Sequence, residues 1–184
     1  AGLEGAQLNL EGVDMRPLES LNDEKLTAVI ARGARFFGML LRNVELQSAN
    51  LDECDFRRCD MEGADFRGST FKGARFNHAN LTDATFEPLQ FGNALAEKRF
   101  SPSDFTDASL SYADFTRCKL KSAIFKGCDL TFANFEGADL READFTDAKI
   151  DNVNFDNANL DGSIMRPAGG LFKMEALSED ISDE

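Results

Sequence analysis

Residues 54–76 read CDFRRCDMEGADFRGSTFKGARF. A bulky apolar residue returns at every fifth place, at Phe56, Met61, Phe66, Phe71 and Phe76. A small one stands two places before each, at Cys54, Cys59, Ala64, Ser69 and Ala74. Neither regular element accommodates that spacing. Five residues of α-helix advance about 500°, so successive rings would lie about 140° apart around the cylinder. Along a strand the side chains alternate faces, and an odd period would put every second Phe on the wrong side. The period works if the chain turns a corner within each unit and re-aims its small and bulky residues inward. Units of that kind bury their core by stacking, as a solenoid.

The bulky place continues from 36 to 91 in one phase and from 105 to 160 in a second. All 24 places hold Phe, Leu, Met or Ile, and 13 of the 17 Phe residues are among them. Two places earlier stand 14 Ala, 4 Cys and 2 Ser, with Met39, Val44, Leu89 and Val153 as the exceptions. The place between is Asp or Asn 13 times.

In this pattern the sequence resembles the pentapeptide-repeat family, whose unit reads roughly A-(D/N)-(L/F)-x-x. The stretches ANLDE, ADFRG, ANLTD, ANFEG, ADLRE, ADFTD and ANLDG match it in full. The resemblance implies an all-β solenoid, a right-handed quadrilateral β-helix with four units per square coil, here of about six coils. The period alone gives a turning solenoid; the four sides and the hand are what the resemblance implies.

Composition fits a narrow apolar interior. The chain has 17 Phe, one Tyr and no Trp, and a solenoid core has no partner for a phenol or an indole N–H. Cys54, Cys59, Cys118 and Cys128 all fall on the small inward place and are expected as buried free thiols. Free thiols point to a reducing compartment, and the expected location is the cytoplasm; a secreted or lumenal scaffold stays open. No stretch reaches the ~20 apolar residues of a membrane span.

The sequence divides at its departures from the repeat. Residues 1–33 are expected to hold a degenerate first coil, with Leu3 and Leu8 bulky, and a helical cap over 20–33, SLNDEKLTAVIARG. Asp23 suits the start of that helix, Gly33 its end, and Leu26, Val29 and Ile30 share one face. Coils follow over 34–92 and 103–165, with an interrupting loop at 93–102. Four residues are extra between Phe91 and Phe105. Residues 166–184 leave the repeat and suggest a short C-terminal helix with an acidic tail.

Chemistry finds no foothold. His78, the one histidine, sits in an outward turn with no nucleophile beside it, and no Walker loop, G-x-S-x-G or H-E-x-x-H is present. No catalytic residue, metal site or cofactor is expected. The net charge of −13 argues against direct nucleic-acid binding. The expected role is a rigid scaffold that binds another protein. The candidate contact residues are Gln90, Asn93, Glu97, Lys98 and Arg99 in the loop, and an acidic face of Asp139, Glu142, Asp144, Asp147, Asp151 and Asp156. The resemblance adds a narrower alternative, a DNA mimic acting on a type II topoisomerase such as gyrase, for which a continuous acidic face and a homodimer are the expected signs.

Overall fold

The computed structural model describes residues 7–87, 89–91, 99–166 and 168. Parallel bridges link each coil to the next, 20 residues on in most of the stack. They fall in four columns, here called faces A to D. Face A runs Asn9, Ile30, Asn50, Thr70, Asp104, Ile124, Asp144, Ile164; face B starts at Asp14, face C at Ser20 and face D at Lys25. Seven successive coils therefore begin at Asn9, Ile30, Asn50, Thr70, Asp104, Ile124 and Asp144, one more than the repeat count suggests.

The hydrogen bonds explain the five-residue unit. Around Phe36, for example, the Phe36 N–H donates to Asp55 O in the next coil and the Gly38 N–H to Arg57 O. The Met39 N–H closes a turn on Phe36 O, and the Leu40 N–H donates back to Glu19 O. These bonds leave the N–H one place after the bulky residue without a backbone partner. The Asp or Asn one place before the bulky residue supplies it: Asp129 Oδ1 accepts from the Thr131 N–H at 3.1 Å and Asn134 Oδ1 from the Glu136 N–H at 3.0 Å. The motif's Asp/Asn is thus the acceptor for the one amide the ladder misses.

Two places after the bulky residue the backbone takes the left-handed conformation at each corner, as at Gly63 (φ 69°). Glycine suits this place, yet among the described residues 18 that are not glycine have positive φ.

Inside, the rings stack from coil to coil. Phe71, Phe105 and Phe125 lie 4.9 and 5.0 Å apart, and Phe115 and Phe135 4.8 Å. All four cysteines are free and buried. Each thiol donates to the carbonyl of a bulky-place residue one coil earlier, as Cys54 Sγ does to Ala31 O at 2.9 Å and Cys118 Sγ to Leu81 O at 2.9 Å. Burial pushes the Cys54 and Cys59 thiols up to about 12.

Two expectations are corrected. Residues 20–33 form no helix. Ser20, Lys25 and Ile30 bridge to Leu40, Glu45 and Asn50, so this stretch is solenoid. Asp23, expected to start the helix, and Gly33, expected to close it, are corner residues with φ of 60° and 69°. Leu26, Val29 and Ile30 misled because i, i+3, i+4 spacing is common to a helix face and to successive inward and bridging places of a solenoid. The sole helical element among the described residues is a 3₁₀ turn at Arg16–Leu18. It adds one residue, so Asn9 and Asp14 bridge 21 places ahead, and Glu11 and Arg16 stay exposed on corners.

The interruption over 87–104 also adds more to the coil than the four extra residues counted from the spacing. The first stack ends at Phe86, and a hairpin follows: β1 (Leu89–Phe91) pairs antiparallel with β2 (Arg99–Ser101). Leu89 and Phe91 therefore belong to the hairpin and not to the repeat. The coil resumes at Ser103, whose hydroxyl donates to Phe86 O at 3.0 Å. Thr70 then bridges Asp104, 34 residues on instead of 20. The expected C-terminal helix over 166–184 falls almost wholly outside the described residues.

Candidate interaction surfaces

The hairpin strands β1 and β2 fall between the Thr85 bridge of face D and the Asp104 bridge of face A. Gln90 lies in β1 opposite Phe100, and Arg99 in β2 opposite Phe91. Asn93, Glu97 and Lys98 lie outside the described residues.

The six acidic candidates are not brought onto one face. Asp139 bridges on face D and Asp144 on face A. Glu142, Asp147, Asp151 and Asp156 each stand on a different corner, so the set encircles the last coils. Several are already engaged. Asp139 accepts two bonds from the Arg141 guanidinium, at 2.8 and 2.6 Å, which hold its carboxyl below the usual carboxylate range. Asp144 accepts from the Thr146 hydroxyl at 2.6 Å and faces Lys126 at 3.4 Å. These carboxylates serve their own turns first.

The diagonally opposite corner, between faces B and C, carries a surface that the sequence reading missed. His78, Tyr112 and Phe132 occupy its left-handed places in successive coils, with φ of 62°, 58° and 59°. Their rings stack at 4.9 and 5.0 Å. Tyr112 and Phe132 are 51% and 48% exposed. Nearer the first coil, Phe37 lies on the same corner with the Arg57 guanidinium 5.3 Å from its ring centroid, and Arg58 fills the next left-handed place. Of the seven exposed large apolar residues among those described, Leu18, Phe37, Tyr112 and Phe132 stand on this corner, with Leu40 beside it on face C. A bulky side chain in the left-handed region is strained, and exposure forgoes burial. Ring stacking offsets part of that, at about 0.5–1.5 kcal/mol a pair.

The signal was present but hidden by register. Tyr112 follows His78 by 34 places, one coil plus the insertion. With four extra residues assumed, the two fall on different corners.

Among the described residues no group of three or more His, Cys, Asp or Glu is placed to hold a metal ion, and no helix is long and apolar enough to cross a membrane. All four thiols are buried, while His78 is exposed on its corner.

A family model described as pentapeptide repeats (8 copies) matches residues 25–58 and 49–87, and one described as a pentapeptide repeat region matches 98–166. Among curated proteins there is no match. Among solved structures, the chain is similar to HetL, a pentapeptide repeat protein involved in heterocyst differentiation regulation in Nostoc sp. strain PCC 7120. Identity is 23% over 86% of this chain and 72% of that one, with a TM-score of 0.45. It is similar to full-length QnrB1, a plasmid-mediated fluoroquinolone resistance protein, with 22% identity over 93% and 94% of the two chains and a TM-score of 0.42. A third is a pentapeptide repeat protein of the Arabidopsis thaliana thylakoid lumen, 27% identical over 64% and 66%, with a TM-score of 0.37.

Proposed function

Because the chain belongs to the pentapeptide-repeat family, we propose that it is a non-catalytic scaffold, a stiff rod that offers its hairpin to another protein. One observation carries this reading: the ladder closes across the insertion. Thr70, Arg75, Asn80 and Thr85 bridge Asp104, Ser109, Asp114 and Lys119 as if nothing lay between. The coil-to-coil ladder does not run through the hairpin, whose own backbone is paired. A segment that stacking does not require, mounted on a rigid element, suits recognition. Gln90, Asn93, Glu97, Lys98 and Arg99 are the proposed contact residues. The four buried free thiols accord with a reducing compartment such as the cytoplasm.

The test shortens the hairpin. Replacing residues 92–98 with Asn-Gly, which suits a two-residue turn, should leave the melting temperature unchanged. It should also abolish cross-links from a photo-reactive residue at position 90 to its partner in the native cell. Undiminished cross-linking to the same partner would remove the hairpin from the interface.

A narrower reading is contact with a type II topoisomerase in imitation of DNA. The net charge of −13 favours it. The encircling placement of the acidic residues and their bonds to Arg141, Thr146 and Lys126 weigh against it. Supercoiling by purified gyrase decides: no inhibition and no protection from a quinolone, with this protein in large excess, would end that reading and leave the scaffold standing.

A further inference from the structure

The corner between faces B and C differs from the rest of the rod in shape, chemistry and charge. Its exposed apolar residues form a line: Leu18, Phe37, Tyr112 and Phe132, with Leu40 alongside. From the first coil to the sixth that line spans about 24 Å, at ~4.8 Å per coil. It is a convex ridge, the meeting of two flat faces, so a flat protein surface would touch it along a narrow strip only. A fluid surface, by contrast, closes around a ridge.

The residues are those that settle at a lipid–water boundary. Phe and Leu enter the acyl edge, while Tyr and Arg carry apolar bodies with polar tips that reach the headgroups. The Arg57 guanidinium lies 5.3 Å from the Phe37 ring centroid and pairs with Asp55 at 2.7 Å, while Arg58 is exposed with no ion pair among the described residues. Charge is partitioned to match. The corner, with bridging faces B and C beside it, holds six basic and seven acidic residues, which leaves −12 of the net −13 on the remainder of the chain. Of that −12, residues outside the described part carry −5, so the described rod has one nearly neutral edge at −1 and carries −7 elsewhere.

We propose that this ridge is a peripheral lipid-contact surface. The rod lies along a membrane with Phe37, Tyr112 and Phe132 at the headgroup boundary and Arg58 toward lipid phosphates. The hairpin, on the opposite corner, then faces away from the bilayer. Lipid contact is independent of the hairpin's role, and either can fail alone.

The chain has no Trp, so a single introduced Trp is a background-free reporter. Phe132→Trp and Phe37→Trp test the two ends of the ridge, and Ser122→Trp, on the hairpin's corner, is the control. At physiological ionic strength, charges farther than ~8 Å from the surface are largely screened. With phosphatidylcholine vesicles, Phe132→Trp and Phe37→Trp should shift to bluer emission and be quenched by brominated lipid, while Ser122→Trp does neither. The unsubstituted chain should float with the same vesicles, and Tyr112→Asn with Phe132→Asn should abolish flotation. Asn tolerates the left-handed place, so the coils persist. Adding phosphatidylglycerol should strengthen binding, and Arg58→Gln should weaken that gain about fivefold, the discrimination expected per arginine near an anionic surface. Failure of the unsubstituted chain to float with either vesicle, or equal quenching of all three reporters, overturns the proposal. Capture of a protein at the ridge without vesicle binding does so too.

Discussion

Replacing Phe105 with Ala probes the join between the two stacks. The Phe105 ring is fully buried and stacks on Phe71 at 4.9 Å and Phe125 at 5.0 Å. Phe76, Phe86 and Phe115 approach it at 5.9, 5.2 and 6.1 Å. Exposing a buried Phe forfeits about 1.5–3 kcal/mol of transfer free energy. A void of roughly 100 Å³, if the surroundings stay rigid, adds about 2.4 kcal/mol at ~24 cal/mol per Å³. They should stay rigid, because four backbone bridges clamp the coils on either side: Thr70–Asp104, Arg75–Ser109, Asn80–Asp114 and Thr85–Lys119. The expected loss is therefore about 4–5 kcal/mol, near the top of the Phe→Ala range. Phe155 is the internal control. It stacks on Phe135 at 5.6 Å, meets Phe145 at 5.8 Å and is 9% exposed. With fewer rings to leave unsupported, Phe155→Ala should cost about half as much. Because each coil contacts only its neighbours, weakening the join should also divide one melting transition into two. Denaturant titration and calorimetry measure both effects. A loss under about 2 kcal/mol for Phe105→Ala, or equal losses for the two variants, would refute the claim that Phe105 couples the stacks.

Three further outcomes are expected. Ala133, at 1% exposure, should not tolerate Asp, which would bury an unpaired charge, whereas Asn134→Asp keeps the acceptor for the Glu136 N–H and should be nearly neutral; circular dichroism melts compare them. The four thiols should resist a thiol reagent at pH 8 until the chain unfolds, since burial raises all four and holds Cys54 and Cys59 at about 12; rapid labelling in native buffer would contradict their placement. Asp129 and Asp139 are held below the ordinary carboxylate value, Asp129 chiefly by the bond from the Thr131 hydroxyl and Asp139 by that from Arg141. Their folded-state affinity for protons is lowered, so their contribution is present above about pH 4 and is lost as pH falls through the depressed values; denaturation curves from pH 7 to pH 2 should show the decline, and Asp139→Asn should flatten it.

The fold was legible because every unit repeats the same local problem. One small residue and one bulky residue meet the core in each five-residue step, so the period itself states a turning solenoid, and Phe56 or Ala133 could be placed inward from the sequence alone. The Asp and Asn preference was visible too, although its cause, the amide left over by the ladder, needed the hydrogen bonds. Two things were not legible. Over 20–33 the spacing of Leu26, Val29 and Ile30 satisfies a helix and a solenoid equally, and only the bridges from Ser20, Lys25 and Ile30 separate them. Between Phe86 and Ser103 the two prolines, Pro88 and Pro102, bracket an interruption, but Phe91 keeps a plausible phase and the spacing to Phe105 counts only four residues as extra. Register was therefore lost, and with it the alignment of His78, Tyr112 and Phe132 on one corner. The physical reason is that the inward places of all four faces are chemically alike, so a repeat fits any side. Which residues share a corner is decided by the backbone bonds between coils, and those exist only in the folded rod.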